Sequence, residues 1–324
     1  MASEEIKPKT LVYLENPLEF LKETEEIVSL MFPQFDFYLI RKAFEDIEKL
    51  FGGKYPGYRG CNAGYHDLKH TMQCFVVMAR LMHGAFINGI NFKENCITLG
   101  LISALMHDTG YIQSADDHTG TGGKYTLVHI ERSVEFMERY FNNNGFSLRD
   151  YLFCRDCLKC TGVTVKIKEI QFESQEHEIL GKILGTADLI GQMADRDYLG
   201  KLIFLYQEFE EGGVSIYSSE LDFLKGTPDF WEFTKQRFAT DYGKVDRYLR
   251  DHFRVLWGLD RDLLQEVIER NMKYLKFILE YHEANYSRYL SGEGLKEVIS
   301  EINRLEELGE TDHLRFPKIN PPSL

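Results

Sequence analysis

The chain has 324 residues, with 51 Asp and Glu against 38 Lys and Arg, a formal charge of −13 at neutral pH. An apolar content of 44% with 13% aromatics supplies a core and excludes disorder as the global state. The negative balance argues against a general binder of nucleic-acid polymers or of anionic membranes, since both need a positive field.

The first ten residues, MASEEIKPKT, carry no apolar run of the secretory kind. Six cysteines are too sparse for a disulfide scaffold, so a cytoplasmic protein is expected. In chain order, helical periodicity marks residues 15–31, 38–51, 66–83, 96–107 and 127–141. It resumes at 177–193, 199–211, 230–238, 263–289 and 295–308. The stretch GVTVKIKEI at 162–170 alternates as a strand would, with nothing obvious to pair with it. An all-α fold is expected, with an N-terminal helical extension over 1–39. Pro317, Pro321 and Pro322 crowd the end, so an extended tail is expected over 311–324.

Two loops differ from their surroundings. FGGKYPGYRGCNAGY at 51–65 holds five glycines, Lys54 and Arg59 with no acid, and HTGTGGKYTLVHI at 118–130 holds three glycines and Lys124 with no acid. Such loops either cradle a phosphate through backbone N–H groups or are ordinary surface connections. Charge is unevenly spread as well. Residues 51–203 hold 16 bases and 17 acids, so the acidity belongs to the periphery and the centre tolerates a small phosphate ester.

Within that segment four motifs stand out. His66 and His70 are spaced i, i+4 in GYHDLKHTMQ, which on a helix places both on one face. ITLGLISALMHDTGY reads as a buried helix ending in His107–Asp108, a costly pair unless it binds a metal or the aspartate caps the next segment. Asp188 sits in the apolar helix GKILGTADLIGQM and needs a partner there. His70, His107, Asp108 and Asp188 together make an imidazole–carboxylate set suited to a divalent cation.

In order and content these motifs resemble the HD-domain metal-dependent phosphohydrolase superfamily, in particular its cyclic-nucleotide phosphodiesterase branch. YHDLKH resembles Y-H-N-x-x-H, LGLISALMHD resembles L-x-x-L-x-A-x-x-H-D, LKCTGVTVKI is similar to a degenerate A-T-D-M-S-K-H, and TADLIGQ resembles C-A-D-L-S-N. The resemblance implies a multi-helix bundle over 40–215, with added C-terminal helices at 216–310 packed on it. It implies one or two divalent ions (Mg, Mn, Zn or Fe), held by His70, His107, Asp108 and Asp188, with Asp108 catalytic as a bridge to a second ion. His66 would be the general acid, and ionised water would attack phosphorus in line. His129 would support a second metal or the phosphate. Lys54, Arg59 and Lys124 are candidate phosphate contacts. One departure is Tyr111, which stands where the branch has a further histidine. His118 is a candidate replacement and equally an exposed loop residue.

The expected function is hydrolysis of a small, nucleotide-like phosphate ester, with homo-oligomerisation open and neither nucleic-acid polymer nor membrane as partner. A non-catalytic metal- or nucleotide-binding module and a di-iron oxygenase of the same superfamily are the alternatives. Cys154, Cys157 and Cys160 read as packing residues, Trp231 and Trp257 as core anchors, and His83, His177, His252, His282 and His313 receive no role.

Overall fold

The computed structural model describes residues 14–307. The leader reading of the first ten residues, the proline tail and His313 lie outside the described residues. Within them the chain is all-helical: thirteen α-helices joined by turns and short 3₁₀ segments, with no strand.

At the centre is α3 (Leu68–Ile87), buried without interruption from Cys74 to Ala85. It packs against α1 (Pro17–Met31), α4 (Glu94–Met106), α7 (Gln175–Met193) and α10 (Tyr248–Trp257). Helix α4 is buried throughout Ile97–Met106, as its unbroken apolar run predicts. Each large side chain taken out of water there contributes about 1.5–3 kcal/mol. Helix α7 begins on Ser174, whose hydroxyl accepts the His177 N–H, and buries Ile183, Leu184, Ala187, Leu189 and Ile190. Around this core lie α2 (Tyr38–Phe51), α5 (His129–Asn143), α6 (Leu148–Lys159), α8 (Tyr198–Glu211) and α9 (Glu220–Thr240). Then follow α11 (Leu263–Tyr281), α12 (Tyr286–Tyr289) and α13 (Gly292–Glu307). The junction between residues 215 and 216 falls in the α8–α9 connection, and α10 and α11 return to pack on α3 and α7.

Several details differ from expectation. Residues 162–170 form local turns and a 3₁₀ segment, with Val165 N–H bonded to Gly162 O at 3.1 Å and Ile170 N–H to Ile167 O at 3.1 Å. Their alternation reflects Ile167 turning inward, not a sheet. Helices α6 and α10 have no counterpart among the expected elements. The expected 263–289 helix ends at Tyr281, and the 230–238 helix extends to Glu220–Thr240 with Pro228 inside it. No helix among the described residues is long and apolar enough to cross a membrane.

Candidate metal centre

The site begins with a helix cap. Asp67 has extended backbone at the start of α3, and its carboxylate accepts the His70 N–H at 2.9 Å. This fixes the first turn and directs the buried His70 inward. It also corrects one expectation: His66 precedes the cap and is not on the helix, so the two histidines do not share a helical face. Their rings still lie 5.8 Å apart, because the extended cap folds His66 back over the helix end.

His107 closes α4, with its Nδ1–H donated to the Ala104 carbonyl at 2.8 Å. That bond leaves the Nε2 lone pair facing into the site. His107 Nε2 lies 3.2 Å from His70 Nε2, and both lie 3.1 Å from Asp108 Oδ2. Asp188 Oδ1, from the middle of α7, stands 3.1 Å from His70 Nε2 and 3.6 Å from His107 Nε2. Two atoms ligating one ion at about 2.1 Å, with about 90–110° between them, are about 3.0–3.4 Å apart. Four of the five spacings are of that size, and the His107–Asp188 distance of 3.6 Å is longer. Asp108 Oδ2 and His70 Nδ1 are buried without a hydrogen-bond partner. The ligand atoms of His70, His107 and Asp108 lie within 4.8 Å of one another, all buried, and could hold a metal ion.

Without an ion, charge is balanced by protons. Burial disfavours a charged His70, yet Asp108 and Asp188 outweigh it and lift the imidazole to about 9. Burial likewise opposes the charge of Asp188, and His107 and His70 bring that carboxyl down to about 2. Behind it, Gln192 donates from Nε2 to Asp188 Oδ1 at 3.3 Å, and its Oε1 accepts the Tyr65 O–H at 2.8 Å.

Beside this group lies a second one. His66 Nδ1 is 2.6 Å from Glu208 Oε2 on α8, while Glu208 Oε1 accepts the Tyr65 N–H at 2.7 Å and the His66 N–H at 3.4 Å. Burial raises the Glu208 carboxyl, but His66 and those amides outweigh it and hold it low. Tyr111 is buried with its ring against His66 (4.1 Å, 8°) and against His129 (4.7 Å, 21°). His129 Nδ1–H donates to Thr126 O at 2.7 Å. Gly110, next to Tyr111, is required here, since a Cβ would come within 1.9 Å of the His129 carbonyl oxygen. Sequence reasoning missed Glu208. Glu210 and Glu211 beside it mask which acid turns inward, and only its spacing of three from Leu205 hints at the apolar face.

In the glycine loops, two of the three candidate phosphate contacts are paired within the protein. Arg59 Nη1 donates to Asp117 O at 2.7 Å, and Lys124 pairs with Asp117 at 2.6 Å and with Thr119 O at 2.6 Å. The amides of Arg59, Cys61, Gly122 and Gly123 are bonded to Gln113 O, Phe51 O, Asn62 Oδ1 and Thr121 Oγ1. Donors satisfied inside the loops are not free to cradle an anion. Lys54 is exposed, and His118 is exposed on the loop, outside the His/Asp group.

The fold and site thus define an all-helical protein with a buried His/Asp group that could hold a metal ion. Residues 55–244, more than half of the chain, match the Npun_R2479-like family, and the chain belongs to that family. The matched span contains His66, His70, His107, Asp108, Tyr111, His129, Asp188 and Glu208. No curated protein matches the chain.

Proposed function

We propose that the chain is a metal-dependent phosphohydrolase of the HD-domain type, acting on a small, nucleotide-like phosphate ester. The observation that carries the reading is the convergence of His70, His107 and Asp108 within 4.8 Å, beside an imidazole oriented by a buried carboxylate. The ordered resemblance of the motifs to the phosphodiesterase branch supports the same reading. His70, His107 and Asp108 would hold the ion, with Asp188 completing the set. A divalent ion there supplies Lewis-acid charge and lowers the pKa of water.

The chain's own residues do the rest. The Ala104 carbonyl keeps His107 in the tautomer with Nε2 free. Glu208 holds His66 through Nδ1, so the Nε2 side is the one that passes a proton to the leaving oxygen. His129, tied to Thr126 O, presents its other nitrogen as a neutral group. For His129, burial outweighs the attraction of Asp108, which keeps its pKa below the usual histidine value. The di-iron alternative needs a second ligand group, and His70–His107–Asp108 is the group of three found among the described residues.

The test is metal analysis of purified protein followed by a nucleotide and phosphoester panel with Mn²⁺, Mg²⁺ and Zn²⁺ added separately. Asp108→Asn should lose metal, whereas His66→Ala should keep it and lose turnover by roughly 10²–10⁴-fold. Retained metal with no hydrolysis across the panel would favour a binding module. Equal metal loss in both variants would refute the division of roles.

A further inference from the structure

We propose that the centre takes one metal ion per chain, and that Tyr111 is the residue that excludes a second. The inference rests on the metal-centre reading above. A catalytic ion is ordinarily held by about three protein donors, and a second ion sharing Asp108 would have to find them among the groups on its far side.

Those groups are His66, Glu208, Tyr111, His129 and, from the adjoining loop, His118. His66 and Glu208 are committed to each other at 2.6 Å, and both Glu208 oxygens are in use. His118 is exposed on its loop. A phenol, with an ordinary pKa of about 10, is not an anionic ligand at neutral pH. His129 retains one ring nitrogen, since the other donates to Thr126 O at 2.7 Å. His66, His129 and Asp108 do not bring their ligand atoms within 4.8 Å of one another, whereas His70, His107 and Asp108 do.

Tyr111 sets this arrangement. Its ring lies nearly parallel to both imidazoles, at 4.1 and 4.7 Å, while the imidazole centroids are 6.2 Å apart. Rings stacked on opposite faces of the tyrosine would be about 7 Å or more apart, so the two imidazoles do not sandwich it but meet it from different directions. The buried tyrosine acts as a fixed backing for both rings, and neither can swing toward Asp108 without giving up its stacking and its own hydrogen bond. The single-ion site follows from that backing together with the scarcity of donors.

The experiment uses the full chain loaded with Mn²⁺, with metal counted by mass spectrometry and spin coupling read by low-temperature EPR. Wild type should hold one Mn²⁺ per chain with the six-line signal of an isolated ion, and Tyr111→Phe should match it. Tyr111→His should gain a second ion and show exchange coupling. Two tightly held, coupled ions in wild type would overturn the proposal, as would a Tyr111→His variant that folds and still holds one. Should Tyr111→His not fold, wild-type stoichiometry decides alone. A wild-type chain that holds no ion would instead refute the metal-centre reading on which the proposal stands.

Discussion

Glu208 shows how much a single buried carboxylate does here. Its 3% exposure would be costly were it not bonded to one imidazole and two backbone amides. Glu208→Gln keeps the shape and removes the charge beside His66 Nδ1. On the proposed hydrolase reading, in which Glu208 acts through His66 and not through the ion, turnover should fall roughly tenfold to a hundredfold with metal content unchanged. A parallel loss of metal would place Glu208 in the metal set instead. Asp67 poses a complementary case, since its role is to cap α3 while also pairing with Lys201 at 3.0 Å. Asp67→Asn keeps a good capping oxygen and should cost less than about 0.5 kcal/mol, whereas Asp67→Ala should cost about 1 kcal/mol in urea unfolding. Equal losses would mean that the ion pair, not the cap, holds this turn.

Between elements, the α3–α10 contact combines a backbone approach with a buried histidine pair. A Cβ on Gly84 would sit 1.9 Å from the Tyr248 carbonyl oxygen, so the helices meet there only because the residue is glycine. One residue away, His83 Nδ1 and His252 Nδ1 are 3.0 Å apart, both buried, with His252 Nε2 unpartnered. Facing them are Arg80, which pairs with Glu23 of α1, and the ring of Trp257. Burial lowers both pKa values, and Arg80 and His83 lower that of His252 further. The unfolded chain therefore takes up these protons first. The stability the pair contributes is fully present above about pH 6.5 and is lost as pH falls below it, at up to about 1.4 kcal/mol per pH unit for each ring. Urea unfolding at pH 7.5 and 5.5 should show a steeper loss in wild type than in the His83→Leu/His252→Leu double variant. A residual slope from His129 and His177 is expected, since burial lowers both, but an unchanged slope would remove the pair from the account. No role for His83 and His252 was legible from the chain alone, because neither has a partner nearby in sequence and only packing brings them together. Where periodicity was continuous, as in α2 or α4, elements were legible to within about two residues. Helix α6 was not, since Arg149, Asp150, Arg155 and Asp156 break the apolar pattern although Phe153, Cys154, Cys157 and Leu158 form a buried face. At the site, the metal candidates were legible as motifs. The His66–Glu208 pair was not, because it joins α8 to the turn before α3 across 142 residues.

For the whole molecule, the family match ends at residue 244 but the packing that supports the site does not. Helix α10 covers α3, the helix that carries His70, through Leu249, His252 and Phe253, all buried. Helix α11 covers the end of α7, the helix that carries Asp188. Its Asn271 side chain donates to Met193 O at 3.0 Å and to Asp195 O at 3.2 Å, satisfying carbonyls at a helix terminus. Removing both helices would strip two of the site-bearing helices of their outer apolar cover, and α11 alone buries Leu263, Leu264, Val267, Ile268, Met272, Leu275, Phe277 and Ile278. A chain ended at residue 244 should therefore lack cooperative thermal unfolding, bind a hydrophobic dye and retain no stoichiometric metal, although every candidate site residue is present in it. A cooperative transition within a few degrees of the full chain, with metal retained, would show that the matched span is a self-sufficient domain and that α10 and α11 are accessory. The site would then depend on the central segment alone, and the distant helices would have to be explained by some role other than holding His70 and Asp188 in place.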